Sequence, residues 1–143
     1  MELKRITNIN NPIYENALNL YRISFPYHEQ REPHSQTEIL GFDAYHFDAA
    51  YDNGSFVGEI LYWEINNFLY IEHFCILPEM RNKGYGQKTL EILQSKPLIL
   101  EIDPPIDHVS LSRKGSMNVV GLLPIHILIF TRLITAVIRG MNF

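Results

Sequence analysis

The sequence predicts an α+β fold (three-layer α/β), in which a mixed but mainly antiparallel central sheet is flanked by helices. Three observations lead to this prediction. A short strand and two helical segments come first. Three strands joined by tight turns follow, as in an antiparallel meander. A strand, a glycine-rich loop, a helix and another apolar strand then form a unit whose two strands should be parallel.

Composition and charge limit the class of protein. A chain of 143 residues suits one domain with a real core, and 46% apolar with 20% charged residues is ordinary for a globular protein. The net charge of −4 argues against a nucleic-acid partner. The single cysteine, Cys75, excludes a disulfide framework and a cysteine-rich metal site, and we predict no metal. The polar start, Met1–Arg5, does not resemble a signal peptide, so we expect a cytoplasmic protein.

The first forty residues predict one strand and two helices. Residues 3–7 are expected to form a short strand. Residues 10–12, Asn-Asn-Pro, predict a helix start with an Asn cap and Pro at the first helical position. Apolar residues at three- and four-residue steps continue this helix, and Phe25-Pro26 ends it. A second helix is expected over about 35–40, stopped by Gly41.

The antiparallel part of the sheet is predicted from alternation and turns. Apolar and polar or small residues alternate over Tyr45–Tyr51 and again over Phe56–Tyr62. Between them, Asp52-Asn53-Gly54 predicts a tight hairpin. Asn66-Asn67 predicts a second turn, and Phe68–Leu77 forms the next strand. We therefore expect three sequential antiparallel strands.

The stretch Ile76–Gly86 has the features of an anion site. It joins that strand to a predicted helix over 87–95, and its glycines, Gly84 and Gly86, let the backbone approach a ligand closely. A helix that begins here presents unpaired N–H groups and the positive end of its dipole, which suits phosphate. The apolar run Leu98–Ile102 then predicts a central strand that is covered on both faces.

Two common phosphate motifs do not fit this stretch. A P-loop requires Lys directly after its second glycine, whereas Gln87 separates Gly86 from Lys88, and position 81 is Arg rather than Gly. A dinucleotide fingerprint requires a third glycine, and Thr89 stands there.

What does fit is Arg81-x-x-Gly84-x-Gly86, preceded five residues earlier by the apolar Ile76. This pattern resembles the acetyl-CoA signature of the GNAT superfamily of N-acyltransferases, and so does the predicted order β-α-α-β-β-β-α-β. The resemblance covers about residues 1–114, and it implies a GNAT acetyltransferase domain over 1–115. The plain alternative is a glycine-rich turn that binds no ligand.

The resemblance implies acetyl-CoA as co-substrate, with the loop amides on its pyrophosphate and the preceding strand paired with its pantetheine arm. The residues implied at that site are Phe74, Cys75, Ile76, Arg81, Asn82, Lys83, Gly84, Tyr85, Gly86, Gln87 and Lys88. Arg81 and Lys83 are expected to offset phosphate charge. For Lys83 and Lys88 the alternative is a role in surface solubility alone.

The resemblance also implies the reaction: transfer of an acetyl group to a primary amine of a small molecule or peptide, by direct attack in a ternary complex. A backbone N–H near Ile76 would stabilise the oxyanion. The candidate bases are Glu72 and Glu101, which both lie among apolar strand residues. Burial would raise the pKa of such a carboxyl to suit a base, and a structural pair with Arg or Lys is the alternative.

Alternation along the strand assigns the neighbours of Glu72 to faces. It predicts that Glu72 shares a face with Tyr70 and Phe74, whereas His73 points away as a packing residue. Cys75 is interpreted as a small buried residue and not as a nucleophile.

The acceptor side is implied to lie around the first two helices and the loop between them, about residues 25–40. Its polar and aromatic candidates are Tyr27, His28, Glu29, Arg31, Glu32 and His34. Such a stretch suits an amine, an amino acid or a peptide terminus. An ordinary solvated loop has the same composition.

The C-terminal segment, residues 116–143, departs from the family pattern. All 16 acidic residues lie at or before Asp107, and the residues that follow Arg113-Lys114-Gly115 are very apolar. In the family an aromatic-Tyr-Glu-Arg segment stands here, and its tyrosine often protonates the leaving thiolate. Phe-Tyr-Glu-Arg written as TTC-TAT-GAA-CGT reads TCT-ATG-AAC one base later, which is the Ser-Met-Asn of residues 116–118. We therefore hypothesise a frameshifted tail.

Two further interpretations concern this segment. A membrane span needs about 20 apolar residues. The run Leu122–Ile138 is shorter, and His126 and Arg132 interrupt it, so no membrane partner is expected. An apolar tail can instead complete the sheet or pair with another subunit, which predicts a homodimer. The altered tail also leaves open two other functions: a catalytically weak or inactive acetyl-CoA-binding protein, and a structural domain that binds neither substrate.

Overall fold

A computed structural model of the chain describes residues 1–100. Its strands are β1 (Glu2–Arg5), β2 (Tyr45–Asp52), β3 (Ser55–Ile65), β4 (Phe68–Ile76) and β5 (Leu98–Leu100). Its helices are α1 (Tyr14–Ser24), α2 (Pro33–Ile39) and α3 (Tyr85–Ile92), with short 3-10 turns at Tyr27–Glu29 and Pro78–Met80. The predictions for Glu101, for the apolar tail with its frameshift and for the dimer lie outside the described residues.

The five strands form one sheet in the order β1-β2-β3-β4-β5. The first four pair antiparallel, and β5 lies parallel to β4, with Leu69 opposite Leu98 and Ile71 opposite Leu100. This mixed, mainly antiparallel sheet with flanking helices confirms the predicted fold class.

Helices cover both faces of the sheet. On the α1/α2 face, Phe47, Leu61 and Trp63 pack with Tyr14 and Tyr21 of α1. On the α3 face, strand residues that include Ile60 and Ile71 pack with two leucines of the α3 region; the cluster is Ile60, Tyr62, Leu69, Ile71, Leu90 and Leu93. None of the helices within residues 1–100 is long and apolar enough to cross a membrane.

A β-bulge in β4 changes which side chains share a face. The β3–β4 register pairs Leu61 with His73 and Tyr62 with Ile71, so that Glu72 has no opposite residue in β3. As predicted, Tyr70 and Glu72 lie on the α1/α2 face. However, His73 lies on this face too, where its ring contacts those of Tyr21 and Phe25.

The predicted faces of Phe74 and His73 were therefore wrong. Phe74 packs with the cluster on the α3 face. Simple alternation fails because the extra residue of a bulge shifts the two-residue period by one.

Element boundaries differ from the predictions where local capping decides them. The Asn53-Gly54 hairpin is confirmed, with φ of 48° and 80° as a type I′ turn requires. The first helix begins later than predicted, at Tyr14, because the Asn11 side chain accepts the N–H of Ile13 (3.1 Å) in a turn that precedes the helix. The third helix begins earlier than predicted, at Tyr85, because Gly84 is its N-cap.

A fully buried carboxyl, Glu59, lies inside the sheet. It stands opposite Cys75 of β4 and Ala49 of β2, and its side chain is 0% exposed. Its Oε1 accepts a hydrogen bond from the Cys75 thiol (3.5 Å), whereas its Oε2 has no partner among the described residues. Burial raises the pKa of Glu59 to about 9, so the group is neutral at pH 7.

The raised pKa of Glu59 predicts a pH-dependent stability. The folded state holds its proton up to about pH 9, whereas the unfolded chain releases it near the ordinary value of 4.5. Folding therefore loses about 1.4 kcal/mol of stability per pH unit as the pH rises between these two values. We expect Glu59→Gln to abolish this slope, so that its advantage over the wild type grows with pH in urea unfolding.

The matched control is Glu15→Gln, which neutralises an exposed carboxylate in the first turn of α1. Its stability should run parallel to that of the wild type over the same pH range. Parallel curves for Glu59→Gln and the wild type would show that Glu59 is ionised in the folded protein.

Candidate active site

The turn between β4 and α3 is shaped by two residues with left-handed backbone. Asn82 has φ of 60°, and Gly84, the N-cap of α3, has φ of 78°. Asn and Gly are the residues that adopt this conformation most readily. The two residues turn the chain from the strand straight into the helix. The first N–H groups of α3 therefore lie in the turn that joins it to β4, without intrahelical partners.

The glycine pattern brings the turn close to the strand. A Cβ added to Gly86 would meet the ring of Phe74 at 3.8 Å, whereas one added to Gly84 would meet no atom within 4 Å. Gly84 is thus needed for its φ, and Gly86 lies against the strand. The N-terminus of α3, with its unpaired backbone amides, is thereby held beside β4, and a helix end of this kind is able to bind an anion.

The three cationic side chains of the turn lie at its surface. Arg81 folds back, and its Nε donates to the carbonyl of Ile76 (3.1 Å). Lys83 Nζ lies 3.8 Å from the Met80 sulfur, and Lys88 Nζ lies 5.3 Å from the centre of the Tyr85 ring. Arg81, Lys83 and Lys88 are all exposed, so they supply positive charge at the rim of the turn.

Glu72, at the bulge of β4, is paired with Arg31 from the segment between α1 and α2. Arg31 Nη2 donates to both carboxylate oxygens, at 2.7 and 2.8 Å. The two side chains are 23% and 24% exposed, so the pair is neither a surface bridge nor fully buried. Burial lowers the pKa of Arg31, but Glu72, Tyr45 and Tyr21 together outweigh it and the pKa is raised. The expectation that Glu72 is simply buried is corrected: it is a half-buried, ion-paired carboxylate.

Arg31 is itself fixed by aromatic residues of α1 and the sheet. Its backbone N–H donates to the Tyr21 hydroxyl (2.8 Å). Its guanidinium carbon lies 5.7 Å from the centre of the Tyr45 ring and 6.0 Å from that of Trp63. Such distances allow cation–π attraction from both rings. The guanidinium is therefore held from below by the sheet and from the side by Glu72.

His73, next to Glu72, fixes the same segment at a second point. Its Nε2 lies 3.0 Å from the carbonyl oxygen of Glu29. Burial lowers the pKa of His73, so the neutral ring donates to this carbonyl through Nε2. The segment before α2 is thus attached to both residues of the bulge.

Cys75 is a partly buried free cysteine beside Glu59. Burial raises the pKa of its thiol, and the adjacent Glu59 raises it further, so the thiol stays protonated. A protonated thiol is a poor nucleophile. Within residues 1–100 no group of His, Cys, Asp and Glu side chains is arranged to hold a metal ion.

The structure brings the predicted site residues together in two places, one after the end of β4 and one within it. The first is the turn from Arg81 to Lys88, packed against Phe74, and the second is the bulge with Glu72. One residue that matters here, Glu59, was missed from sequence, and Arg31 was named only as an acceptor-side candidate. Arg31 stood in a polar stretch with nothing to mark its partner 41 residues away. Glu59 occupies a strand that is buried on both faces, so alternation gave no signal.

Comparisons with known proteins agree with this geometry. A sequence model of the Acetyltransferase (GNAT) family matches residues 10–96. A solved protein described as a GNAT-family acetyltransferase from Bacteroides thetaiotaomicron is 30% identical, with a TM-score of 0.76 over 82% of this chain and 69% of that chain. A comparison with curated proteins finds no match.

More distant solved structures share the fold. An aminoglycoside acetyltransferase from an uncultured soil metagenomic sample, in complex with sisomicin, is 13% identical (TM-score 0.62; 80% of this chain, 86% of that one). AAC(6')-Iy in complex with the bisubstrate analog CoA-S-monomethyl-acetylneamine is 17% identical (TM-score 0.62; 84% and 88%). With the family match over most of the described residues, the strand–turn–helix anion site and the shared sheet, the chain belongs to the GNAT acetyltransferase family.

Proposed function

We propose that this protein transfers an acetyl group from acetyl-CoA to a primary amine of a small molecule or peptide, by direct attack in a ternary complex. The observation that carries the proposal is that a single strand, β4, bears an ion-paired carboxylate at its bulge and leads directly into the anion site at α3. Coenzyme A has both a pyrophosphate and a reactive thioester, and such a strand can serve the two ends of one extended ligand.

The proposed cofactor contacts follow from the turn. The pyrophosphate is bound by the backbone amides of Gly84, Tyr85, Gly86 and Gln87, with Arg81 and neighbouring cations offsetting its charge. The pantetheine arm runs along Phe74–Ile76. A backbone N–H of that segment, near Ile76, stabilises the oxyanion that develops on the thioester carbonyl.

The proposed chemistry assigns Glu72 as the base. The acceptor ammonium loses a proton to Glu72, directly or through water. The free amine attacks the carbonyl carbon and the new C–N bond forms. As the C–S bond breaks, the thiolate of coenzyme A leaves and takes up the surplus proton from the nitrogen, directly or through water. Glu101 is the second candidate base, and it lies outside the described residues. No metal takes part in the proposed reaction.

We propose a cationic acceptor. The segment between α1 and α2 has exposed carboxylates, Glu29 and Glu32, whereas its one arginine, Arg31, is already neutralised by Glu72. Glu29 lies 3.7 Å from His28 Nε2, whereas no ion pair among the described residues involves Glu32, and exposed acidic groups of this kind attract ammonium groups. The neighbouring structures that hold sisomicin and an acetylneamine analog suggest polyamines of this kind as first probes.

The cellular location and the oligomeric state of the protein are part of the same proposal. We propose a cytoplasmic protein whose acetyltransferase domain occupies residues 1–115. Residues 116–143 then complete the sheet or form the interface of a homodimer.

Coenzyme A binding is tested by a glycine pair. Gly84→Glu places a carboxylate at the amide site and forces a side chain into φ of 78°, so acetyl-CoA affinity should fall at least tenfold by calorimetry. Gly54→Glu is the matched control, because Gly54 has φ of 80° and no atom within 4 Å of its Cβ, but lies in the β2–β3 hairpin.

Gly54→Glu should therefore share the backbone strain and keep the affinity of the wild type. Equal affinity in Gly84→Glu and the wild type would remove the turn from the binding site. If the wild type itself binds no acetyl-CoA, the protein is a structural domain.

Turnover is tested at Glu72. With sisomicin or a short peptide with a free N-terminus as acceptor, and free thiol as readout, we expect Glu72→Gln to lower kcat by about 100- to 10,000-fold, because a general base is lost. Its control is Glu64→Gln, which breaks the ion pair between Glu64 and Lys96 at the end of the sheet.

The control should keep full activity. Wild-type protein that binds acetyl-CoA but releases no thiol with either acceptor would instead support the catalytically weak binding protein. Full activity in Glu72→Gln would move the role of base to another residue.

A further inference from the structure

We propose that Arg31 is a positioning residue of the transfer reaction, which holds the Glu72 carboxylate in place while it accepts the proton. This inference rests on the proposed function, since it assigns a role to the partner of the proposed base. It concerns a residue outside the coenzyme A signature, on the acceptor side of the sheet.

The contact geometry leaves Glu72 free to react. A single nitrogen, Arg31 Nη2, bonds both carboxylate oxygens, at 2.7 and 2.8 Å. Each carboxylate oxygen has two lone pairs, so each keeps one for a proton. The guanidinium therefore holds the carboxylate from one side without occupying all of its acceptor sites.

Arg31 is held in place independently of Glu72. The Tyr21 hydroxyl accepts its backbone N–H, and the rings of Tyr45 and Trp63 lie beneath its guanidinium. The preceding residue, Gln30, donates through Nε2 to the carbonyl of Phe25 (2.7 Å). A group fixed by so many contacts transmits a fixed orientation to the side chain that it binds.

Stability alone is a weak reason for this arrangement. Exposed ion pairs such as Lys4–Glu2, whose side chains are 54% and 57% exposed, contribute little. A pair withdrawn from water costs desolvation that its attraction barely offsets, so replacement by apolar residues is often neutral. Here the pair sits at the bulge of the strand that leads into the anion site. A role of Arg31 in holding the Glu72 carboxylate at that point would account for the position of the ion pair.

The position of Arg31 predicts a selective kinetic effect. Its guanidinium contacts Glu72 and two aromatic rings, and no contact joins it to the turn of residues 81–88 among the described hydrogen bonds and ion pairs. Loss of Arg31 should therefore lower kcat and leave the KM for acetyl-CoA unchanged.

The test uses three replacements of Arg31 with acetyl-CoA and sisomicin or the short peptide, free thiol being the readout. Misplacement of a catalytic group costs on the order of 100-fold in rate, so Arg31→Met should lower kcat by about 100-fold. Arg31→Lys keeps the charge without the planar donor geometry and should fall between Arg31→Met and the wild type. The control is Arg22→Met, which removes an exposed arginine in the last turn of α1 and should keep full activity.

Chemical rescue separates positioning from folding. Arg31→Gly removes the guanidinium that lies beside Glu72, Tyr45 and Trp63, and a free guanidinium ion is its chemical replacement. Millimolar guanidinium chloride, far below its denaturing range, should raise the kcat of Arg31→Gly at least tenfold. It should restore none in Arg31→Gly combined with Glu72→Gln, because the recipient carboxylate is then absent. A merely structural pair gives no such dependence on Glu72.

The outcomes are distinguishable. Wild-type protein that binds acetyl-CoA but acetylates neither acceptor overturns the proposed function, and the inference with it. An active wild type with an impaired Glu72→Gln variant, but unimpaired Arg31 variants, overturns only the inference. If Arg31→Met does not fold, Arg31→Lys decides: activity equal to the wild type overturns the positioning role, and a loss without change in the KM for acetyl-CoA supports it.

Discussion

The bulge in β4 is the constraint on which the rest of the described structure depends. One residue without an opposite partner, Glu72, puts the carboxylate and His73 on the same face of the sheet and sends Phe74 to the other. Without it, Phe74 would not lie against Gly86, and the turn into α3 would lose the surface on which it rests. The bulge thus divides the strand into a part that holds the segment between α1 and α2 and a part that supports the turn into α3.

The same bulge also determines how the segment between α1 and α2 is held. Two consecutive residues attach it: Glu72 through the guanidinium of Arg31, and His73 through the carbonyl of Glu29. Because a bulged strand presents two successive side chains to one face, this double attachment is not available to a regular strand. The segment between α1 and α2 is therefore held in place beside the Glu72 carboxylate.

Local chemistry explains what could be predicted from the sequence. The Asn53-Gly54 hairpin and the Gly84 cap demand left-handed backbone, which few residues supply, so they could be predicted without tertiary information. The faces of the side chains around Glu72 could not be predicted, because a bulge breaks the two-residue period on which alternation depends. The contacts of Arg31 and Glu59 could not be predicted either, because both depend on tertiary packing. Arg31 pairs with a residue 41 positions away, and Glu59 lies in a strand that is buried on both faces.

Glu59 and Glu72 lie on the same face of the sheet, yet the structure treats them oppositely. Glu59 has no cationic partner and no contact with solvent, so burial raises its pKa to about 9 and keeps it protonated at pH 7. Glu72 is a quarter exposed and holds a guanidinium on both oxygens. A carboxyl that is already protonated cannot accept a proton from an amine near neutral pH. Glu59 is therefore unsuited to act as a base, whereas the Arg31-paired Glu72 is compatible with the role that we propose for it.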